Sequence, residues 1–342
     1  MGLAPRLVAL TDRAILRVAG EGSDRFLQGL CTQDVQRLSV SGPSVLPAAF
    51  LSPKGKVLCD AMVKRQDTNE YLVDCHSSVS ASLRRLLIRH RLREPLTIDD
   101  VSKGYQSLAL LPGQAFTDES GTQSAEMDSS DYFADPRFEG LGHRAILPAS
   151  HPTSPSASLS DYHFWRVCCG VPEGPGDLKI DEVMPLHGNL DLLNFVSFSK
   201  GCYVGQELLT RTKHRGAVRR RIFTVVAMDG SDTALGRKLQ EKVQSLPRST
   251  PLTAELIHPL PRPLQGEEKD MAIFSHSGSS DPKQVGTLQT WSHNMALCML
   301  RCEGAFNEAS SFENSPLPNG VEILSASRDL RFLVRAPPYV FS

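Results

Sequence analysis

Val196-Ser197-Phe198-Ser199-Lys200-Gly201-Cys202-Tyr203-Val204-Gly205-Gln206-Glu207 sets a single thiol between a cation and the start of what reads as a helix. A thiolate is the reactive and metal-binding form of cysteine. Its pKa falls beside Lys or Arg and at helix N-termini, where unpaired N–H groups point outward. Gly201 and Gly205 permit close backbone approach, and Glu207 to Thr212 continues as a helix running to Gly216. On such a helix Cys202 and Gln206, at i and i+4, are predicted to share a face. Lys200 before the thiol, and Arg211, Lys213, His214 and Arg215 after it, read as an electropositive setting for a reactive cysteine. The competing reading is a buried cysteine that opens an ordinary helix, since free Cys mostly behaves as a small hydrophobe.

Working outward, the 342 residues are 40% apolar and 22% charged, with a formal net charge of −1. That balance argues against a disordered chain and against wholesale nucleic-acid affinity. The length predicts two domains. No run approaches the ~20 apolar residues of a helical membrane span, and the start lacks a signal-peptide core, so the chain reads as soluble with any leader removed or omitted. Eight cysteines are scattered without a C-x-x-C, which favours reduced thiols and excludes a self-contained structural zinc framework. The pairs Cys168/Cys169 and Cys298/Cys302 read as core.

Ala14 to Val18 reads as a strand, and Ser23 as the N-cap of a helix with Phe26, Leu27 and Leu30 on its apolar face. Ala48 to Leu51, a turn at Ser52-Pro53-Lys54-Gly55, and Val57 to Val63 form a hairpin signal. Tyr71 to Val73 follows as a strand. A helix capped by Ser77 or Ser78 then buries Val79, Leu83, Leu86, Leu87 and His90, while its five arginines from Arg84 to Arg93 read as a solvated face. Further strands are predicted near Ile98 and over Leu108 to Leu111. Phe116 to Asp131 is acidic and Ser-rich, and Pro148 to Ser160 reads as a linker. Tyr162 to Cys169 and Asp181 to Phe198 show helix-like apolar spacing. From Ile222 onward short strands separated by Pro, Gly and Ser predict an all-β C-terminal domain, giving boundaries of 1–220 and 221–342.

The Val196 to Glu207 segment resembles the signature of the YgfZ branch of the folate-binding, aminomethyltransferase-like family. Phe26 to Asp34, Gly55-Lys56-Val57-Leu58-Cys59-Asp60, Asp135-Pro136-Arg137, Gly142-His143-Arg144, Asp161-Tyr162 and Gly170-Val171-Pro172-Glu173-Gly174 agree with it. The resemblance covers most of residues 10 to 225. It implies an α+β, multi-subdomain fold with a ferredoxin-like part and a C-terminal β-barrel around a pocket for tetrahydrofolate. It also implies a place in the mitochondrial matrix, and work with an A-type iron-sulfur carrier in maturing four-iron proteins. On this reading Cys202 is the reactive residue and ligates an iron-sulfur cluster shared with the partner, because a chain without clustered cysteines borrows the other ligands. Asp60, Arg144, Lys200, Tyr203, Gln206, Glu207 and Arg211 are the implied cofactor-binding set.

True aminomethyltransferases carry paired aspartates where this chain has Cys59-Asp60, and their Gly-Tyr-Thr-Gly-Glu segment is replaced by the Asp135-Pro136-Arg137 region. Aminomethyl transfer needs a positioned carboxylate and a closely held pterin. The alternative function is therefore a tetrahydrofolate-dependent C1 transferase in which Asp60 is the acid/base group. A nucleic-acid module built on Arg211, Lys213, Arg215, Arg219, Arg220 and Arg221 is a third reading, with no functional binding expected. For single residues plain structural readings stand beside these: ion pairing for Asp60 and Arg144, first-turn polarity for Gln206 and Glu207, packing for Tyr203, an exposed loop position for His214.

Overall fold

Alternating apolar residues in the first half and short paired strands in the second build three sheets in a computed structural model of the chain. The structure describes residues 5–38, 42–113, 131–253, 256–257, 260, 271–275, 283–301, 322–325 and 330–340. Cys302, residues 116–130 of the acidic stretch, the predicted Pro/Ser-rich segments 276–282 and 314–320, and most of 254–264 lie outside them.

The first half holds strands β1 (Arg6–Ala9) and β2 (Arg13–Ala19), helix α1 (Ser23–Gln28), strands β3 (Val45–Leu51), β4 (Val57–Asp67) and β5 (Glu70–His76), helix α2 (Ser77–Arg91) and strands β6 (Thr97–Asp100), β7 (Tyr105–Leu111), β8 (Phe133–Ala134) and β9 (His143–Pro148). They form a five-stranded sheet in the order β3-β4-β5-β2-β6 and a four-stranded sheet β1-β7-β9-β8. Every residue of β3 is buried, so its apolar run serves both faces. Helix α2 covers the first sheet with Val79, Leu83 and Leu87. Its N-cap is His76, whose Nδ1 accepts from the Ser78 N–H, and not Ser77 or Ser78, which lie in the first turn. Ser23 likewise does not cap α1: the cap is Gly22 in the left-handed region, and Ser23 is already helical.

Helices α3 (Leu159–Cys168), α4 (Gly174–Asp177) and α5 (Gln206–Arg215) lead to strand β10 (Arg220–Asp229). The helix-like spacing of 181–198 is realised as successive turns. Positive φ at Asp181, Asn189 and Asn194 bends the backbone out of a helix, and buried Asn189 replaces lost ladder bonds by donating to the carbonyl of Ile222 and to Tyr339 Oη. A closed barrel follows, ordered β10-β13-β12-β11-β14-β15, from β10, β11 (Ala272–Ser275), β12 (Lys283–Ser292), β13 (Met295–Arg301), β14 (Glu322–Ser325) and β15 (Leu330–Arg335). Between β10 and β11 lies helix α6 (Thr233–Ser245), where strands alone were predicted. Asp232 caps it by accepting from the Leu235 N–H at 2.8 Å.

One continuous apolar core runs from Val8 through Trp165 and Phe195 to Phe332 and Val340, so the barrel and the α3 region share an interior. The β3-β4 turn enters this arrangement at a point of backbone-to-backbone contact. Gly205, at φ +81°, stands where a Cβ would lie 2.4 Å from the Ser52 carbonyl oxygen, and Gly55 where one would lie 2.9 Å from that of Gly205. A side chain at Gly205 would therefore face both an unfavourable φ and a clash. Gly205→Ala is expected to lower unfolding free energy by about 2 kcal/mol or more, read as a shift in the urea midpoint with little change in its slope.

Candidate functional site

Three predicted motifs meet at the Cys202 loop. The Lys200 ammonium donates to the carbonyls of Gln28 (2.7 Å), Cys31 (2.9 Å) and Gln33 (2.9 Å), which use all three of its N–H groups at the C-terminal end of α1. It also lies 4.9 Å from the centroid of the Tyr203 ring. Burial holds the Lys200 pKa below the usual ammonium range. On the other side of the thiol, Val204 N–H donates to the Gly29 carbonyl at 3.1 Å, Gln206 Oε1 accepts from Tyr203 N–H, and Gly205 abuts the hairpin turn. Tyr203 is buried, which pushes its phenol upward in pKa. Between these anchors Gly201 and Cys202 are exposed, with nothing within 4 Å of the Gly201 Cβ position.

Two expectations about this loop are corrected. Cys202 does not share a helical face with Gln206, because α5 begins at Gln206 with Gly205 as its cap, and Cys202 lies on the irregular segment before it. Lys200 is not a free cation beside the sulfur, since its N–H groups are bound to carbonyls. The buried-cysteine reading fails as well: of the seven described cysteines, six are buried and Cys202 alone is exposed. Glu207 is exposed in the first turn of α5, where its charge suits the helix dipole, and Arg211 is exposed one turn on. His214 is exposed, its ring centroid 6.3 Å from that of Phe198 in an edge-to-face arrangement. Within the basic run, Arg221 is buried in a pair with Asp191 at 2.5 Å, and Lys213 reaches the same carboxylate at 3.7 Å.

Asp60 and Arg144 sit elsewhere, in a buried charge network where the five-stranded sheet, the four-stranded sheet and the α3–α4 segment meet. Arg13 of β2 donates to Asp74 of β5 at 2.7 Å, and Arg144 of β9 reaches the same carboxylate at 3.1 Å, as does Ser107 of β7 at 2.7 Å. Glu173, just before α4, is the centre. It pairs closely with Arg137, lies 3.6 Å from both Arg13 and Arg144, and accepts from Tyr162 Oη at 2.7 Å. Asp135 binds Arg137 at 2.7 Å, and Asp177 binds Arg166 at 2.5 Å. Although burial opposes ionisation, the guanidinium groups of Arg137, Arg13, Arg144 and Arg166 hold Glu173 well below the usual carboxylate range. Asp60, 3% exposed, is pushed the other way by burial, with Glu173 adding repulsion and Arg13 opposing it; it accepts the Gly174 N–H at 3.0 Å. The ion-pairing reading thus describes Arg144, whereas Asp60 makes no ion pair among the described residues. Sequence reasoning did not single out Arg13, Asp74 or Glu173 as site residues. Their signal is a charge at an inward strand position, or within the quoted Gly170 to Gly174 motif.

This arrangement does not fit the residues implied for tetrahydrofolate. Arg144 is enclosed in ion pairs and Asp60 is buried against the Gly174 N–H, whereas Lys200, Tyr203, Gln206, Glu207 and Arg211 belong to the Cys202 loop and α5, and none of these seven lines the large cavity nearby. That cavity, of about 700 Å³, lies between the 135–140 loop, the 192–194 turn, the 249–251 segment and Tyr339, with Asp135, Arg137, Phe138 and Asn194 in its wall. Among the described residues no group of three or more His, Cys, Asp or Glu is placed to hold a metal ion, and no helix is long and apolar enough to cross a membrane.

No protein-family model matches the chain. A search of curated proteins finds the mitochondrial iron-sulfur cluster assembly factor IBA57 of Homo sapiens, 34% identical over 253 residues that span 68% of this chain and 69% of the relative. The corresponding homolog of Mycosarcoma maydis is 28% identical over 355 residues, spanning 98% and 84%. Among solved structures, the glycine cleavage system aminomethyltransferase T of Bartonella henselae superposes with a TM-score of 0.64 over 99% of this chain and 87% of that one, at 12% identity, which establishes likeness of fold.

The charge network makes a prediction with a sign. Glu173, depressed below its ordinary value of 4.5, contributes stability that is present above that value and lost as pH falls through the lower folded value. Glu173→Gln is expected to cost about 3–5 kcal/mol at neutral pH and to flatten the pH dependence of unfolding below 4.5. Asp60, raised above 3.8, disfavours the fold when ionised, so Asp60→Asn is expected to be neutral or stabilising at neutral pH. Denaturant unfolding of both variants across acid pH checks the opposite signs.

Proposed function

Because the chain belongs to the IBA57 family of mitochondrial iron-sulfur cluster assembly factors, we propose that Cys202 is the residue through which it acts. It supplies one thiolate to a cluster shared with an A-type iron-sulfur carrier during maturation of four-iron proteins in the mitochondrial matrix. The observation that carries the reading is the loop itself: anchored at Lys200 on one side and at Tyr203, Val204 and Gly205 on the other, with the thiol exposed between. A ligand that must meet another protein's ligands around one cluster has to be both reachable and fixed in direction. A thiol on a frayed loop would meet only the first requirement.

The cluster is cargo here, held by one sulfur from this chain and the remaining ligands from the carrier, which allows release by exchange of a single bond. Arg211 and Arg215, exposed on the helix that follows the loop, add positive charge that favours approach of an anionic, thiolate-ligated cluster. No step is routed through tetrahydrofolate. The assembly reading is favoured over aminomethyl transfer because the relatives bear the assembly name, while the transferase likeness is one of fold.

Cys202→Ser tests this directly. As an exposed substitution it is expected to leave the unfolding free energy within about 0.5 kcal/mol of the parent. It should also abolish the visible absorbance of the complex formed with a cluster-loaded A-type carrier, and restoration of four-iron enzymes in cells lacking the factor. Retention of both the colour and the restoration by the serine variant would refute the proposal.

A further inference from the structure

Arg220 and Arg301 are cross-strand partners at the open end of the β10–β13 pair, directly opposite in register. Both are exposed, and both line a cavity of about 250 Å³ whose remaining wall is Gln284, Val285, Gly286, Thr287 and Met299. The alternation of β10 separates them from Arg221, which is buried against Asp191. Like charges facing one another on adjacent strands destabilise a sheet, and among the described residues no acid lines this cavity to offset them. Neither arginine makes an ion pair among the described residues.

The neighbourhood of Arg220 is itself electropositive. His187, which is held down to about 4 chiefly by burial, is depressed further by Arg220, Lys56 and Arg221. Two guanidinium groups converging on one hollow, with the Thr287 and Gln284 side chains beside them, supply the directed N–H donors that planar or tetrahedral oxyanions take in pairs. The volume is below the ~300 Å³ lower bound of pockets for drug-sized ligands, so it suits a single anionic group.

We propose that the Arg220–Arg301 cavity on the barrel is a binding site for a phosphoryl dianion, either inorganic phosphate or the terminal group of a phosphate monoester. The site is separate from the Cys202 loop, and neither depends on the other's role. An anion held there converts the facing arginines from a repulsive pair into a bridge that ties β13 to β10, so occupancy tightens the seam of the barrel.

The test is calorimetric titration of the full chain at low ionic strength with inorganic phosphate, and separately with adenosine monophosphate, alongside thermal melting with and without each. One saturable site is expected. Binding of inorganic phosphate at least as tight as that of the monoester identifies the free ion as the ligand, and tighter binding of the monoester identifies the ester. Arg301→Gln and Arg220→Gln are each expected to weaken binding about tenfold or more. In phosphate-free buffer each should melt no lower than the parent, because the repulsion is relieved. Absence of saturable binding to the parent chain, or an equal phosphate-induced rise in melting temperature in parent and variants, would overturn the proposal.

Discussion

The ionised carboxylate of Glu173 is the constraint on which the arrangement of sheets depends. It lies where the five-stranded sheet and the four-stranded sheet meet; the first contributes Arg13, the second Arg144 and, from the turn between β8 and β9, Arg137. Burying so many charges is costly unless each is paired and hydrogen-bonded. Here Asp74, Asp135 and Asp177 share the arginines, and Ser107 and Tyr162 fill further positions. A network of this kind specifies geometry more than it adds stability, since the two N-terminal sheets and the α3–α4 segment satisfy it in one mutual orientation. An apolar contact of equal area would tolerate sliding.

The same logic, on a smaller scale, governs the thiol loop. Lys200 looks in the sequence like an activator of its neighbour, yet in the fold it is a tether. Its ammonium gathers the carbonyls of Gln28, the last residue of α1, and of Cys31 and Gln33 just beyond it, and so binds the Phe26 to Asp34 motif to the Lys200 to Glu207 motif. The hairpin turn completes the junction through the contact of Gly55 with Gly205. Three stretches that are far apart along the chain thus serve one short exposed segment.

Much of this was legible before folding was considered. The strands from Ala14 to Val73, the hairpin at Ser52 to Gly55, the helix after His76, the β-rich end and the special status of Cys202 all follow from periodicity, turn residues and one motif. The misreadings have physical causes. Residues 181–198 carry helical spacing, but Pro185 and three non-glycine residues at positive φ turn the chain, and tertiary bonds from Asn189 stabilise that path. Helix α6 was overlooked because its surroundings are rich in Pro and Ser. The enclosure of Arg144 was not legible, because a lone base in a motif does not reveal that its partners, Asp74 and Glu173, come from another sheet and from the segment before α4. Long-range charge pairing leaves little trace in local sequence.

The return of β15 and residues 336–340 to the α3 region has a consequence for how the molecule is made. Tyr339 donates its hydroxyl hydrogen to the Gly170 carbonyl and packs with Phe138, and Val340 closes an interior that begins at Val8. An N-terminal portion emerging first, whether from a ribosome or from a translocation channel, lacks the wall against which its apolar side chains finally rest. The α3 region therefore completes its packing only after the barrel has been made, whereas the core between α2 and the five-stranded sheet needs no barrel residue.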